Sequence, residues 1–249
     1  MKTDMEALIL TDQTVGDSDR LVTVLTRNKG IMRCFARGAK NMKSVNFAPT
    51  QPLSYSHLSI YAGRSSYIID EARLITSFYN VQLDLERLAL SQYMSELIIK
   101  TVPENVYSSD VLDMMLNCLH VLVNTDRSPT LIKSVFEIRL AVLTGSMPDI
   151  IYCSGCGKYE SDTMFFDYIN NKLICSDCFK GEGSPAVLSR GAMAALRYVV
   201  LAEPKKIFSF NISDTSLNQL ADCTEKYMLS ISDTKFHTLD YYKQIKAFL

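Results

Sequence analysis

The chain has 249 residues, 47% of them hydrophobic, no Trp and a formal net charge of -1. That composition supports a globular protein with a substantial core, as one large domain or two small ones. A membrane partner is not expected, because no apolar stretch approaches the ~20 residues of a bilayer span, and the start MKTDMEALILTDQ lacks the apolar core of a signal peptide.

Charge is unevenly spread. Residues 1–80 carry ten Lys/Arg against seven Asp/Glu, and within 16–64 the count is eight against two. Residues 81–249 carry sixteen against twenty. A basic front and a mildly acidic back point to a polyanion partner for the front.

The front reads as β-structure. Glu6–Thr11 is a short apolar run and Leu21–Thr26 is rich in β-branched residues. Over Ile31–Arg37 the chain alternates, with Ile31, Arg33, Phe35 and Arg37 on one face and Met32, Cys34 and Ala36 on the other. Leu53–Tyr61 alternates as well, and Tyr67–Ile69 makes a further short strand after the turn Ala62-Gly63-Arg64. Five short strands in about eighty residues predict a closed OB-fold barrel, which binds nucleic acids through one face and two loops.

The third strand sets Phe35 between Arg33 and Arg37, and Lys40 and Lys43 follow in the next loop. Arg20 and Lys29 can join from neighbouring loops. Bases stack on aromatic rings while cations track phosphates, so this interleaving suits a single-strand-binding surface. The competing reading makes Phe35 a core residue under an ordinary solvated strand face.

From residue 81 the period becomes helical. Leu85, Leu88, Tyr93, Leu97 and Ile98 mark one helix closed by Pro103. A second runs through Val111, Met114, Met115, Cys118 and Leu122, and a third from Leu131 to Leu143 ahead of Gly145. Later helices are expected from a Ser189 cap to about Ala202 and over roughly Ser216–Ser230. Between them stands CSGCGKYESDTMFFDYINNKLICSDC, from 153 to 178. Cys153, Cys156, Cys175 and Cys178 form Cys-x2-Cys-x18-Cys-x2-Cys, a zinc-site spacing. Thr163–Tyr168 has strand character, Asn170-Asn171 is a turn signal, and Leu173-Ile174 starts a return strand, so a hairpin brings the pairs together as a zinc ribbon. Neither pair opens a helix beside a βαβ pattern, as a redox motif does. Two disulfides suit a secreted protein, and this chain reads as cytosolic. Four thiolates leave no open coordination position, so one structural Zn2+ is expected.

The expected class is therefore α+β. An OB-fold nucleic-acid-binding domain over 1–80 precedes an all-α domain over 81–249, with the zinc-binding insert at about 150–182. There is no phosphate-binding loop, and the three histidines His57, His120 and His237 form no ligand or base motif. Nothing commits the chain to catalysis, so an enzyme is not expected.

The run Gly16-Asp17-Ser18-Asp19-Arg20-Leu21-Val22-Thr23, with Thr26, Gly30, Ala36-Arg37-Gly38-Ala39-Lys40 and Lys43-Ser44, resembles the N-terminal domain of bacterial RecO recombination mediators. The resemblance continues through Gln51-Pro52, Leu85-Glu86-Arg87-Leu88-Ala89, Pro148, the cysteine pairs and Leu188-Ser189-Arg190-Gly191-Ala192. It implies binding of single- and double-stranded DNA and annealing of complementary strands. With RecR as partner, it also implies loading of the RecA recombinase onto DNA coated by single-strand-binding protein (SSB), in a cytoplasmic, nucleoid-associated setting. It raises the expectation that Arg33, Phe35, Arg37, Lys40 and Lys43 touch DNA. The segment 236–249 matches no motif, so no residue-by-residue docking site for the SSB C-terminal tail follows. Two alternatives stay open: a protein-assembly scaffold, and a transcription-associated regulator with weak DNA affinity.

Overall fold

The computed structural model describes residues 2–63, 66–232 and 234–248. Arg64, in the turn expected after the fourth strand, lies outside the described residues. The chain divides into two compact units, Met1–Thr125 with Phe236–Leu249, and Asp126–Lys235.

In the first unit five strands close a barrel: β1 (Lys2–Val15), β2 (Asp19–Thr26), β3 (Gly30–Ala36), β4 (Ser54–Ala62) and β5 (Tyr67–Ser77), in the order β1-β2-β3-β5-β4. Among the described residues only β3 and β5 pair in parallel. This is the OB-fold expected from the strand count. Ala7, Ile9, Val22, Val24, Met32, Cys34, Leu58 and Ile60 fill its interior. β1 is far longer than its apolar run because its first half pairs with β4 and its second half with β2. Its polar ends are ladder, not turn. β5 also outruns its sequence signal. A register shift between Ser59 and Ile60 of β4 spaces the inward residues Ile69 and Ala72 three apart, which breaks the period of two.

Three helices complete this unit: α1 (Leu85–Thr101), α2 (Ser109–Asn124) and, from the far end of the chain, α6 (His237–Phe248). The Asp84 side chain accepts from the Arg87 N–H at 3.0 Å and caps α1. Arg87 in turn donates to the Leu122 carbonyl near the end of α2 at 2.7 Å. α6 was not legible in the sequence. It lies along α1, where Phe236 meets Tyr93 edge-on at 6.0 Å and Lys100 sits 4.9 Å above the Phe236 ring. Gly30 is where the α1–α2 connection touches the barrel. At φ +58°, a Cβ there would lie 2.3 Å from the Pro103 carbonyl oxygen, so only glycine fits.

The second unit contains α3 (Pro129–Leu143), α4 (Arg190–Leu201) and α5 (Asp214–Ser232) around a three-stranded sheet, β7-β6-β8. β6 is Thr163–Asp167, β7 Lys172–Cys175 and β8 Ala186–Ser189. The Ser189 hydroxyl accepts from the Ala192 N–H at 3.3 Å and caps α4 as expected. Arg139 donates to the Val199, Val200 and Ala202 carbonyls at the other end of α4, at 3.2, 3.0 and 3.3 Å. Those carbonyls have no partner within the helix. Lys133 is buried between Glu137, at 2.7 Å, and Glu225, at 2.8 Å.

Candidate metal centre and nucleic-acid interface

The cysteine hairpin forms as its spacing predicts. β6 and β7 pair from Met164↔Cys175 to Asp167↔Lys172. The Asp167 carboxylate accepts from the N–H groups of Ile169 and Asn170, at 3.2 and 3.1 Å, and Asn171 takes φ 53°, which closes the turn. Cys153, Cys156, Cys175 and Cys178 converge, and their four sulfurs lie within 4.8 Å of one another. Tetrahedral zinc with Zn–S bonds of about 2.3 Å separates its sulfurs by about 3.8 Å, and Cys156 Sγ lies 3.7 Å from Cys175 Sγ. All seven cysteines are free thiols, so no disulfide competes for these positions. Gly155 packs tightly: a Cβ there would stand 3.1 Å from both Cβ and Sγ of Cys178, which would have to give by a few tenths of an ångström.

The backbone is arranged for thiolates. Burial works against ionisation of Cys153, but N–H groups of Cys175, Cys156 and Gly155 directed at its sulfur outweigh it and hold the thiol down to about 6. Cys178 is pushed up to about 12, first by hydrogen bonds with the Cys156 and Cys175 sulfurs. Four crowded thiols cannot all lose protons unless a cation sits among them. The cluster can therefore hold one metal ion, with no ligand position left over.

Arg197 braces this module, and sequence reading missed it. From α4 it donates to the carbonyls of Ile150, Ile151 and Tyr159 at 2.9, 2.9 and 2.7 Å, and its guanidinium lies 4.0 Å from the Tyr159 ring centre. Lys158 and Asp177 tie the two Cys-x-x-Cys turns together at 2.6 Å.

On the barrel, Arg33 is exposed and Phe35 is half-buried on the outer face of β3, while Met32, Cys34 and Ala36 face inward. Arg37 falls just past the end of β3 and, with Lys40 and Lys43, is exposed. These four cations make no ion pair among the described residues. β3 pairs with β2 over its whole length but with β5 only from Cys34 to Ala36. Where that pairing stops, a groove of about 490 Å³ opens beside Leu21, Arg33, Phe35, Tyr67 and Glu104. Lys29 is half-buried, 5.6 Å from the Tyr67 ring centre. Tyr67 lines the same groove but packs partly against the barrel core. The parallel pairing sets Tyr67 opposite the inward-facing Cys34, whereas Phe35 stands opposite Ile68.

Arg20 departs from the expected surface. It is 5% exposed, pairs with Asp12 at 3.4 Å, donates to the Phe47 carbonyl and Thr50 hydroxyl at 3.2 and 3.3 Å, and stacks 4.8 Å from the Phe47 ring centre. Its donors are used inside the fold, so it is a structural arginine.

A family model described as "Recombination protein O N terminal" matches residues 1–78, and one described as "Recombination protein O C terminal" matches residues 82–238. The chain belongs to the recombination protein O family. It is 33% identical over 238 residues to the DNA repair protein RecO of Acetivibrio thermocellus, which covers 96% of this chain and 95% of that protein. It is also 24% identical over 241 residues to the DNA repair protein RecO of Alkaliphilus metalliredigens, covering 96% and 98%. The family models meet near residue 80, where β5 ends, whereas the first compact unit also takes in α1, α2 and α6. Among the described residues no helix is long and apolar enough to cross a membrane.

Proposed function

We propose that this RecO-family chain is a recombination mediator that acts in the cytoplasm, at the nucleoid, by binding DNA. One observation carries the reading: Arg33, Arg37, Lys40 and Lys43 are exposed without an ionic partner among the described residues, around the half-buried Phe35. Phosphates meet the cations, and bases stack on Phe35. Held this way, two complementary strands repel each other less and keep their base edges free to pair. Annealing by this route forms and breaks no covalent bond, so no catalytic residue is assigned.

The four cysteines are assigned one zinc, bound for structure. The ion would supply folding energy to the hairpin and leave no site for chemistry. RecR and the SSB tail are the proposed protein partners, with RecA loading as the outcome. An acidic tail needs a Lys/Arg pocket, and Lys206 of the pair Lys205-Lys206 is already engaged by Glu203 at 2.9 Å.

The test is annealing of complementary oligonucleotides by a variant with Arg33, Arg37, Lys40 and Lys43 all changed to Gln. The expected result is a normally folded protein that anneals far more slowly than wild type. Annealing at the wild-type rate would remove this surface from the function.

A further inference from the structure

Past β3 the chain makes three successive turns, closed by Asn41 N–H to Gly38 O at 3.2 Å, Ser44 N–H to Asn41 O at 2.8 Å and Phe47 N–H to Ser44 O at 3.0 Å. Both ends of the run are anchored. Ala39 is buried in the barrel core, and the Asn46 side chain accepts from the Ala72 N–H of β5 at 3.0 Å. Lys40 N–H donates to the Ser18 carbonyl at 2.9 Å, and Lys43 N–H to the Asn41 side chain at 3.0 Å. Yet this braced loop holds Met42 and Val45 in water, 81% and 78% exposed. A single exposed apolar side chain needs no explanation. Two of them at the corners of adjacent pinned turns, interleaved with the unpaired cations Lys40 and Lys43, do.

We propose that Met42 and Val45 form a wedge that enters a stacked base step of DNA while Lys40 and Lys43 hold the flanking phosphates. Apolar side chains inserted between base pairs unstack them, and the neighbouring cations offset the cost through phosphate contacts. The inference rests on the barrel face being a DNA interface, and it adds a role that charge alone cannot supply. The loop does not merely screen two strands; it loosens stacking where they are held. The pre-formed turns matter here, because a floppy loop would lose ordering entropy on insertion.

The experiment measures binding of the full chain to a duplex oligonucleotide carrying 2-aminopurine at an interior step, whose fluorescence rises on unstacking. Three proteins are compared: wild type, Met42→Ser/Val45→Ser and Lys40→Gln/Lys43→Gln. Wild type should raise the fluorescence. The serine variant should bind with an unchanged salt dependence, lose the rise, and bind roughly tenfold more weakly, as removal of about 1.4 kcal/mol of apolar burial predicts. The glutamine variant should lose affinity with a shallower salt dependence. A serine variant that raises fluorescence as wild type does would overturn the wedge alone. A glutamine variant with wild-type affinity and salt dependence would overturn the DNA interface beneath it. If wild type leaves 2-aminopurine stacked but binds phosphatidylglycerol vesicles through Met42 and Val45, the loop is a lipid contact and the proposal fails.

Discussion

In the cysteine-bearing unit, groups capable of strong interactions are held by the fold itself. Backbone N–H groups point at the Cys153 sulfur, Arg197 is engaged by three carbonyls, and Lys133 lies between two carboxylates. The outer face of β3 and the loop after it are the opposite case. Arg33, Arg37, Lys40 and Lys43 stand in solvent with no ionic partner among the described residues, beside Met42 and Val45. Buried charge without a partner is costly, so the first region must satisfy its groups internally. Exposed charge costs little, and what the fold leaves unpaired is available to another molecule. Residue type does not separate the two cases. Arg20 and Arg37 both flank the same turns, and one is internal while the other is free.

The largest effect should come from emptying the first region of its metal. Cys153→Ser, or a strong chelator, should release one zinc per chain and abolish cooperative unfolding of 126–235, since structural zinc contributes on the order of 10 kcal/mol in small modules. Elemental analysis beside a thermal melt checks it. Acid should act in the same direction. The Cys153 thiol, ordinarily at 9.0, is held at about 6 in the fold. Its thiolate therefore favours the folded, metal-binding form fully above pH 9, and that contribution is lost as pH falls through about 6. Unfolding of the metal-free chain followed against pH should show that loss in this window.

Next comes the buried ion pair. Lys133→Ala removes the ammonium 2.7 Å from Glu137, which is 0% exposed. Stability should fall by about 3–5 kcal/mol in denaturant titration. The Thr224 hydroxyl also donates to Glu137 at 2.8 Å, and a neutral donor cannot replace the lost charge.

The smallest effects sharpen the contrast within the barrel. Arg20→Gln should lower the melting temperature and leave the salt dependence of DNA binding unchanged, because its donors are used internally. Arg37→Gln should do the reverse. Phe35→Ala should cost on the order of 1–3 kcal/mol in single-strand affinity with little change in salt dependence. A fall in melting temperature instead would make Phe35 a packing residue.

The metal cluster was legible in the sequence because its information is local. Two Cys-x-x-Cys turns and one hairpin specify the site, and Gly155 sits where Cys178 leaves little room for a Cβ. The barrel was legible in strand number but not in strand length, since the polar ends of β1 and β5 pair without showing alternation. β8 escaped because its four residues run directly into the Ser189 cap of α4. α6 and the place of Tyr67 beside the groove escaped for a deeper reason. Each depends on a partner distant in sequence, α1 for the helix and Cys34 of β3 for the tyrosine. Arg20 was misplaced because it was expected in a loop, whereas β2 already begins at Asp19 and the loop carrying Phe47 and Thr50 covers its side chain.

The most direct measurement is the salt dependence of single-strand binding for wild type and for the variant with Arg33, Arg37, Lys40 and Lys43 changed to Gln. Each phosphate contact contributes about 0.7 to the slope of log affinity against log salt, so four lost contacts should flatten it by roughly 2.8. Affinity should fall for every sequence alike while the melting temperature holds. A folded variant with the wild-type slope would show that DNA is held elsewhere.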